Sequence, residues 1–253
     1  MEVGYFLNES EVVDLLSSFE NKKKFQNLLS EMRKYGDFDF NLETLEVKHA
    51  LKFDTAKGED VISAKVLDIK VNDHVNIRYI ERFINGDEST TNDFFVGTIF
   101  SNKSDDPNVI NQMVFRASND EAVSILEKEY DRELVVAAME NDDKFFEEFN
   151  FDENYVPGQL LKQKVDAQAP IKGCVAGGYI WCGADCGGWP ACEGSKSGIN
   201  ELDNCCKKHD CCYHTYGTSD PHCYCDQKLC DCAQAAPFYG ATLLVEAAFC
   251  FVC

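Results

Sequence analysis

The uneven distribution of cysteine constrains this chain more than any other feature of its sequence. All 14 cysteines lie between Cys174 and Cys253, and residues 1–173 contain none. Clustering of this density is typical of a disulfide scaffold and rare among reduced cytosolic thiols. Because the count is even, every cysteine can be paired. The last third of the chain is therefore expected to be stabilised by disulfides and to mature in an oxidising compartment.

An oxidising compartment predicts a secreted or extracellular protein, but the N-terminus does not show how the chain is exported. A secretory signal has a basic start followed by an apolar run of about 7–15 residues. The segment Met1–Glu9 is acidic and its apolar run is shorter. Either a signal has been removed or export follows another route.

The charge balance argues against a nucleic-acid partner, and the lengths of the apolar runs argue against a membrane span. The chain has 24 Lys and Arg against 44 Asp and Glu, a formal net charge of -20. Binding to nucleic-acid phosphates requires clustered basic residues, so no nucleic-acid partner is expected. There is also no run of about 18 uncharged apolar residues, the length needed to span a bilayer, so no transmembrane segment is expected.

Cysteine usage and turn residues predict three segments. Residues 1–156 form an acidic, cysteine-free domain, residues 157–170 a polar linker without periodicity, and residues 171–253 a small, disulfide-rich, mainly α domain. The linker contains the small-x-small triplet Ala167-Gln168-Ala169, a possible processing site. One hypothesis is that residues 1–170 are a pro-segment or regulatory domain that contacts and restrains the cysteine-rich domain, or delivers it.

The first domain has the pattern of an α+β fold, an antiparallel sheet with flanking helices. Asn8 and Glu11 are spaced for a capping box, and apolar residues continue at helical spacing as far as Met32. A second helix is expected over residues 119–140. Between them lie five β-like runs separated by turn residues: Thr44–Phe53, Asp60–Val71, His74–Ile84, Asp93–Ser101 and Gln112–Ala117.

The chemistry-bearing residues are concentrated in three pieces of the cysteine-rich domain. They are the loop Tyr179–Gly188, the segment Asp203–Tyr213, and a run from Cys223 to Cys232. The middle piece has no Gly or Pro and predicts a helix beginning near Asn200. Residues three, four or seven apart share a face of such a helix, which groups Cys206, His209, Asp210 and Tyr213.

These pieces resemble the secreted calcium-dependent phospholipase A2 superfamily. The middle piece reads D-x-C-C-x-x-H-D-x-C-Y, an aromatic-C-G loop precedes it, and C-x-C-D follows it. The likeness covers Trp181 to Cys232, and the Trp-Cys-Gly loop is most similar to bee-venom and bacterial members. It does not extend to the first 170 residues.

The resemblance implies a role for each matching residue. His209 corresponds to the base that removes a proton from water, and Asp226 to the carboxylate that orients the imidazole. Tyr213 corresponds to the phenol that supports this pair, and Asp210 to a bidentate calcium ligand. The implied activity is hydrolysis of the sn-2 acyl ester of glycerophospholipids at a membrane surface, with calcium as cofactor.

The loop before the helix is implied to complete the calcium site. The backbone carbonyls of Trp181, Gly183 and Asp185 correspond to its remaining protein ligands, and the Gly183 amide to an oxyanion donor. Position 185 departs from the family pattern, because most relatives have Gly there. The resemblance also implies three disulfides: Cys182–Cys206, Cys205–Cys232 and Cys212–Cys225.

Other interpretations of the same residues remain open. His209, His214 and His222 with nearby cysteines could hold zinc, although adjacent cysteine pairs fit zinc spacing poorly. The scaffold could be a purely structural disulfide knot or a non-catalytic toxin or antimicrobial module that acts on membranes. The apolar tail Pro237–Cys253 is expected to be a third helix packed on the core and fastened by Cys250 and Cys253. The alternative for the tail is a membrane-contact or acyl-chain surface.

Overall fold

The computed structural model describes residues 2–103, 105–167, 173–184, 186–187, 196–217 and 222–251, and only the backbone of residues 139–143 and 222. The described residues form seven strands, seven α-helices and one short 3-10 helix. In chain order the elements are β1 (Glu2–Phe6), α1 (Glu9–Ser18), the 3-10 helix (Phe19–Asn21), α2 (Lys23–Met32), β2 (Glu46–Lys57), β3 (Asp60–Asn72), β4 (Val75–Ile84), β5 (Asp87–Asn102), β6 (Val109–Ala117), β7 (Ser124–Asp131), α3 (Arg132–Glu148), α4 (Gln159–Ala167), α5 (Glu201–Tyr216), α6 (His222–Ala235) and α7 (Gly240–Phe249).

The seven strands form one antiparallel sheet in which every strand pairs with its neighbours in sequence, in the order β1 to β7. The turns after β2 and β4 use residues that enter the left-handed region at low cost, namely Gly58 at φ 55°, Asn85 at φ 52° and Gly86 at φ 74°. Strands β2–β6 confirm the five predicted runs. The predicted class, an antiparallel sheet with helices followed by a helical disulfide-rich region, is also confirmed.

Both faces of the sheet are buried, and alternate residues of a strand serve different cores. On one face, helices α1 and α2 cover side chains such as Ile77 and Tyr79 of β4. On the other face, Val66 and Ile80 belong to a cluster that includes Leu243 of α7 and much of the cysteine-rich region. The sheet and the cysteine-rich region therefore share one hydrophobic core.

Helix α7 lies within this shared core. It is apolar on almost all sides, and nine of its ten residues are buried. One of these is Glu246, whose carboxylate accepts two hydrogen bonds from Arg78 of β4, at 2.9 and 3.0 Å. Arg82 donates to the carbonyls of Glu246, Ala247 and Cys250 at the C-terminal end of the helix, where the Glu246 carbonyl also accepts the Cys250 amide.

The position of α7 confirms the prediction that the tail packs as a helix on the core. A disulfide between Cys230 and Cys250 fastens it to α6. Cys253, the second predicted anchor, lies outside the described residues. No helix in the described part of the chain combines the length and hydropathy needed to cross a bilayer.

The region predicted as a second helix divides into two elements. Residues Ser124–Asp131 form the edge strand β7, in which Leu126 lies opposite Val114 of β6. Pairing with β6 overrides the helical spacing of the apolar residues in this stretch. The helix begins only at Arg132, where the Asp131 side chain accepts a hydrogen bond from the Glu133 amide as a cap. The prediction for residues 119–140 is therefore wrong for its first half.

Part of the predicted linker, residues 157–170, is also regular structure. Residues Gln159–Ala167 form α4, and Leu160 is buried in a small cluster with Val61 of the sheet. The buried carboxylate of Asp54 accepts hydrogen bonds from the Tyr155 hydroxyl at 2.7 Å and from the Leu160 amide at 2.9 Å. These contacts anchor the segment to β2. Of the predicted processing triplet, Gln168 and Ala169 lie outside the described residues.

Candidate active site

Disulfides hold helices α5 and α6 together and fasten the preceding loop to them. Because earlier cysteines of α5 pair with later cysteines of α6, the two helices run antiparallel. The pairs Cys182–Cys206, Cys205–Cys232 and Cys212–Cys225 are those that the phospholipase A2 resemblance implies. The structure adds the bridges Cys174–Cys186 and Cys230–Cys250, and Cys211 and Cys223 are also disulfide-bonded.

The two helices bring a histidine and a carboxylate into contact. His209 of α5 places its Nε2 atom 2.9 Å from Oδ1 of Asp226 on α6. The hydroxyl of Tyr213, one helical turn after His209, donates to the same oxygen at 2.6 Å. His209 is 7% exposed and Asp226 is 1% exposed. The three residues form a buried hydrogen-bonded group.

A lysine from the N-terminal sheet joins this group. The Nζ atom of Lys57, the last residue of β2, lies 2.7 Å from Oδ2 of Asp226. The distance is that of an ion pair, but its angles fall outside those of a hydrogen bond, so Oδ2 has no aligned donor among the described residues. The ammonium also lies over the ring of Phe249 from α7, which meets the His209 ring edge-on with centroids 4.9 Å apart.

These contacts determine the ionisation of Asp226. Burial by itself raises the pKa of this carboxyl group, but contacts with His209, Lys57 and Tyr213 outweigh burial and hold the pKa below its usual value. In Tyr213, burial and the hydrogen bond to Asp226 raise the pKa of the phenol. Asp226 is therefore a carboxylate at neutral pH, and Tyr213 remains a hydrogen-bond donor.

Asp203 positions the loop that precedes α5. Its Oδ1 atom accepts the amides of Trp181 at 2.9 Å and Cys182 at 3.1 Å, and its Oδ2 atom accepts the amide of Ile199 at 3.0 Å. The side chain is fully buried. Asp203 was visible in the sequence as the first residue of the D-x-C-C motif, but the motif alone did not assign it a role.

Asp210 is a partly exposed acidic residue that follows His209 on α5. Its Oδ1 atom lies 3.9 Å from Nδ1 of His209, and its side chain is 32% exposed. Burial, together with the nearby carboxylate of Asp203, raises the pKa of Asp210 to about 7. No Lys or Arg in the described part of the chain pairs with it. A carboxylate in this environment is stabilised by a bound cation.

The residues present fit a calcium ion, which prefers several oxygen ligands. Asp203, Cys206 and Asp210 share one face of α5. The loop is attached to this face by the Trp181 amide, which donates to Asp203, and by the Cys182–Cys206 disulfide. The loop backbone therefore lies on the same side of α5 as Asp210. Asp210 would supply the carboxylate, and Trp181 and Gly183 would supply carbonyls. The Gly183 carbonyl accepts the Cys186 amide at 3.3 Å, which leaves a second lone pair. Asp185, the third predicted carbonyl ligand, lies outside the described residues.

Gly183→Ala is expected to destabilise the loop. Gly183 has φ 127°, and an added Cβ would lie 2.3 Å from the carbonyl oxygen of Gly173. Gly217→Ala is a matched control, because Gly217 also has positive φ, at 81°, but has open space around it. Thermal unfolding should show about 1–3 kcal/mol more destabilisation for Gly183→Ala than for the control. Equal losses would contradict close packing at this position.

A cleft between α5 and α6 gives the buried histidine an opening. It has a volume of about 450 Å³, and His209 forms part of its wall. Its other lining residues include Lys208, Tyr216, Tyr224 and Lys228, whose side chains are exposed at the surface.

Among the described residues, the zinc alternative has no free cysteine ligand. Every described cysteine is disulfide-bonded, so none is a thiolate ligand. Within the described ranges no cluster of three or more His, Cys, Asp or Glu side chains could hold a metal ion. His214 is exposed near the end of α5, and the side chain of His222 is not described.

No family model matches this chain, and no curated protein or solved structure matches it either.

Proposed function

We propose that the cysteine-rich region hydrolyses the sn-2 acyl ester of glycerophospholipids in a calcium-dependent reaction of the phospholipase A2 type. The observation that carries the proposal is the 2.9 Å contact between His209 Nε2 and Asp226 Oδ1, with Nδ1 on the side of Asp210. It supports a base that is oriented by one carboxylate and adjoins a second carboxylate suited to a metal ion. The substrate would be presented by a phospholipid membrane surface.

In this proposal His209 performs the proton transfer. When Nε2–H donates to Asp226, the lone pair of Nδ1 is left to accept a proton from water. The water oxygen then attacks the carbonyl carbon of the ester, and the imidazolium returns its proton to the leaving alcohol.

Asp226 and Tyr213 orient the ring and stabilise its charged form. The carboxylate fixes the tautomer and faces the positive charge that develops on the imidazole, the same role that an acid has in a catalytic triad. The Tyr213 hydroxyl holds the oxygen that accepts Nε2–H. Because all three groups are preorganised by disulfide-linked helices, little rearrangement is needed during the reaction.

A bound calcium ion would supply electrostatic stabilisation of the ester oxygen and of the lipid phosphate. Asp210 and the carbonyls of Trp181 and Gly183 would hold this ion. The Gly183 amide would donate to the oxyanion, and Asp203 would maintain the loop in place through its amide contacts.

Asp210→Asn is expected to abolish the response to calcium. The neutral amide is a weaker ligand, so fatty-acid release from phosphatidylcholine vesicles should fall roughly 100-fold or more. The assay compares release in calcium and in excess chelator. Asp14→Asn, at an exposed position of α1, is the control and should behave as the unsubstituted protein.

Two results would contradict this assignment. One is equal release in calcium and in chelator, and the other is an Asp210→Asn variant with undiminished release. Vesicle leakage without fatty-acid release would favour the alternative, a non-catalytic module that acts on membranes.

A further inference from the structure

We propose that Lys57, a residue of the N-terminal sheet, is a positioning residue of the hydrolytic site that holds the Asp226 carboxylate in the orientation His209 requires. The catalytic part of this inference rests on the proposed function. The contact itself does not, and it can be tested separately.

Lys57 reaches Asp226 in preference to acids closer in sequence. Glu59 pairs with Lys164 of α4, and Asp60 accepts a hydrogen bond from the Asn85 amide group. The Lys57 side chain instead extends between the sheet and α6, where it is 19% exposed. Its ammonium lies 5.4 Å from the centre of the Phe249 ring, which adds a cation–π contact. Lys57 therefore pairs with Asp226 of the site, although Glu59 and Asp60 lie much closer to it in sequence.

Asp226 needs a cation because of where it lies. Its carboxylate is 1% exposed, and its two directed donors, His209 and Tyr213, both contact Oδ1. A buried carboxylate oxygen that accepts no hydrogen bond, as Oδ2 of Asp226, is destabilising unless a cation faces it. The groups that face Asp226 are His209 and Tyr213 from α5, Lys57 from β2, and the uncharged Phe249 ring beside Lys57. Within the described ranges, Lys57 is thus the one permanently charged cation that pairs with Asp226.

The arrangement of contacts fixes the rotation of the carboxylate. Oδ1 accepts two hydrogen bonds from α5 and Oδ2 faces the Lys57 ammonium of β2, so a turned carboxylate would break those hydrogen bonds and move Oδ2 away from the charge. Oδ1 therefore stays aligned with Nε2 of His209. In this arrangement the N-terminal sheet contributes to the site and does not merely restrain it.

The first test compares variants of the full chain in the vesicle assay. Lys57→Met should lower fatty-acid release roughly tenfold or more, because an oriented supporting group is lost. Lys57→Arg, which keeps the charge, should retain most of the activity. Lys48→Met is the matched control, since Lys48 lies on the same strand and forms an exposed pair with Glu46.

The second test is independent of catalysis and uses acid stability. The pKa of Asp226 is held below its usual value in the folded protein, so the stability that it contributes is present at neutral pH and is lost as pH falls through that pKa. Without Lys57 the pKa rises, and the loss should begin at higher pH. Melting temperatures measured from about pH 7 down to about pH 3 should therefore separate Lys57→Met from Lys48→Met.

A third test measures the energetic coupling between Lys57 and Asp226 with a double variant. Asp226→Asn should lower the melting temperature less in the Lys57→Met background than in the unsubstituted chain, because both partners are then neutral. If Lys57→Met does not fold, Lys57→Gln replaces it in every comparison.

The outcomes separate this inference from the proposed function. Equal activity and equal acid profiles for Lys57→Met and Lys48→Met would overturn the role of Lys57. Higher activity in Lys57→Met would also overturn it and would favour restraint by the sheet. If the unsubstituted protein releases no fatty acid, the proposed function fails, but the acid profiles and the coupling still decide whether Lys57 holds Asp226.

Discussion

His209→Gln is expected to lower fatty-acid release from phosphatidylcholine vesicles by about 10⁴-fold, close to background. Gln can still donate a hydrogen bond to Asp226, but it cannot accept a proton from water. The substitution therefore removes the base and leaves the packing against Phe249 and Tyr213 largely filled. Initial rates measured with saturating calcium give the effect directly.

The matched control is His214→Gln. His214 lies on the same helix at an exposed position, so this variant should keep the activity of the unsubstituted protein. Melting temperatures of both variants establish that they are folded. Activity of folded His209→Gln within tenfold of the unsubstituted protein would contradict the assignment of His209 as the base.

Glu246→Ala is expected to cause the largest loss of stability. Glu246 is fully buried and bound through both carboxylate oxygens by Arg78, so its removal leaves the buried guanidinium without its hydrogen-bonded carboxylate and with only the charge of Asp68 nearby. Breaking a buried ion pair in this way costs about 3–5 kcal/mol. For a protein of this size the melting temperature should fall by roughly 6–20 °C.

A paired replacement tests the reason for that loss. The double variant Arg78→Met/Glu246→Leu removes both charges while filling the space, so it should be more stable than either Glu246→Ala or Arg78→Met alone. Additive losses in the double variant would show that the two charges are not coupled.

Much of the sheet could be predicted because its strands and turns are encoded locally. The turn at Asn85-Gly86 and the apolar runs beside it specify a hairpin without reference to the rest of the chain. The two edge strands, β1 and β7, were not predicted. β1 is only five residues long, and β7 is largely exposed, so neither has the alternation of a half-buried strand. Their pairing depends on partners supplied by the fold.

Part of the candidate site also has a local signal, but the pairing of His209 with Asp226 joins two helices and was expected from the phospholipase A2 resemblance. The residues of α5 are related by helical spacing, and the motif at Asp226 has its own short pattern. The contribution of Lys57 could not be predicted, because β2 and α6 are far apart in sequence and nothing near Lys57 marks it as functional. The same holds for Arg78 and Glu246, which meet only because α7 packs on the sheet.

The most direct test of the central claim is the regiospecific hydrolysis of phosphatidylcholine with different acyl chains at sn-1 and sn-2. The full chain should release the sn-2 chain when calcium is present and neither chain when calcium is chelated. Failure of the folded protein to release either chain in calcium, or release that persists in chelator, would contradict a hydrolytic site built on His209, Asp226 and a calcium loop.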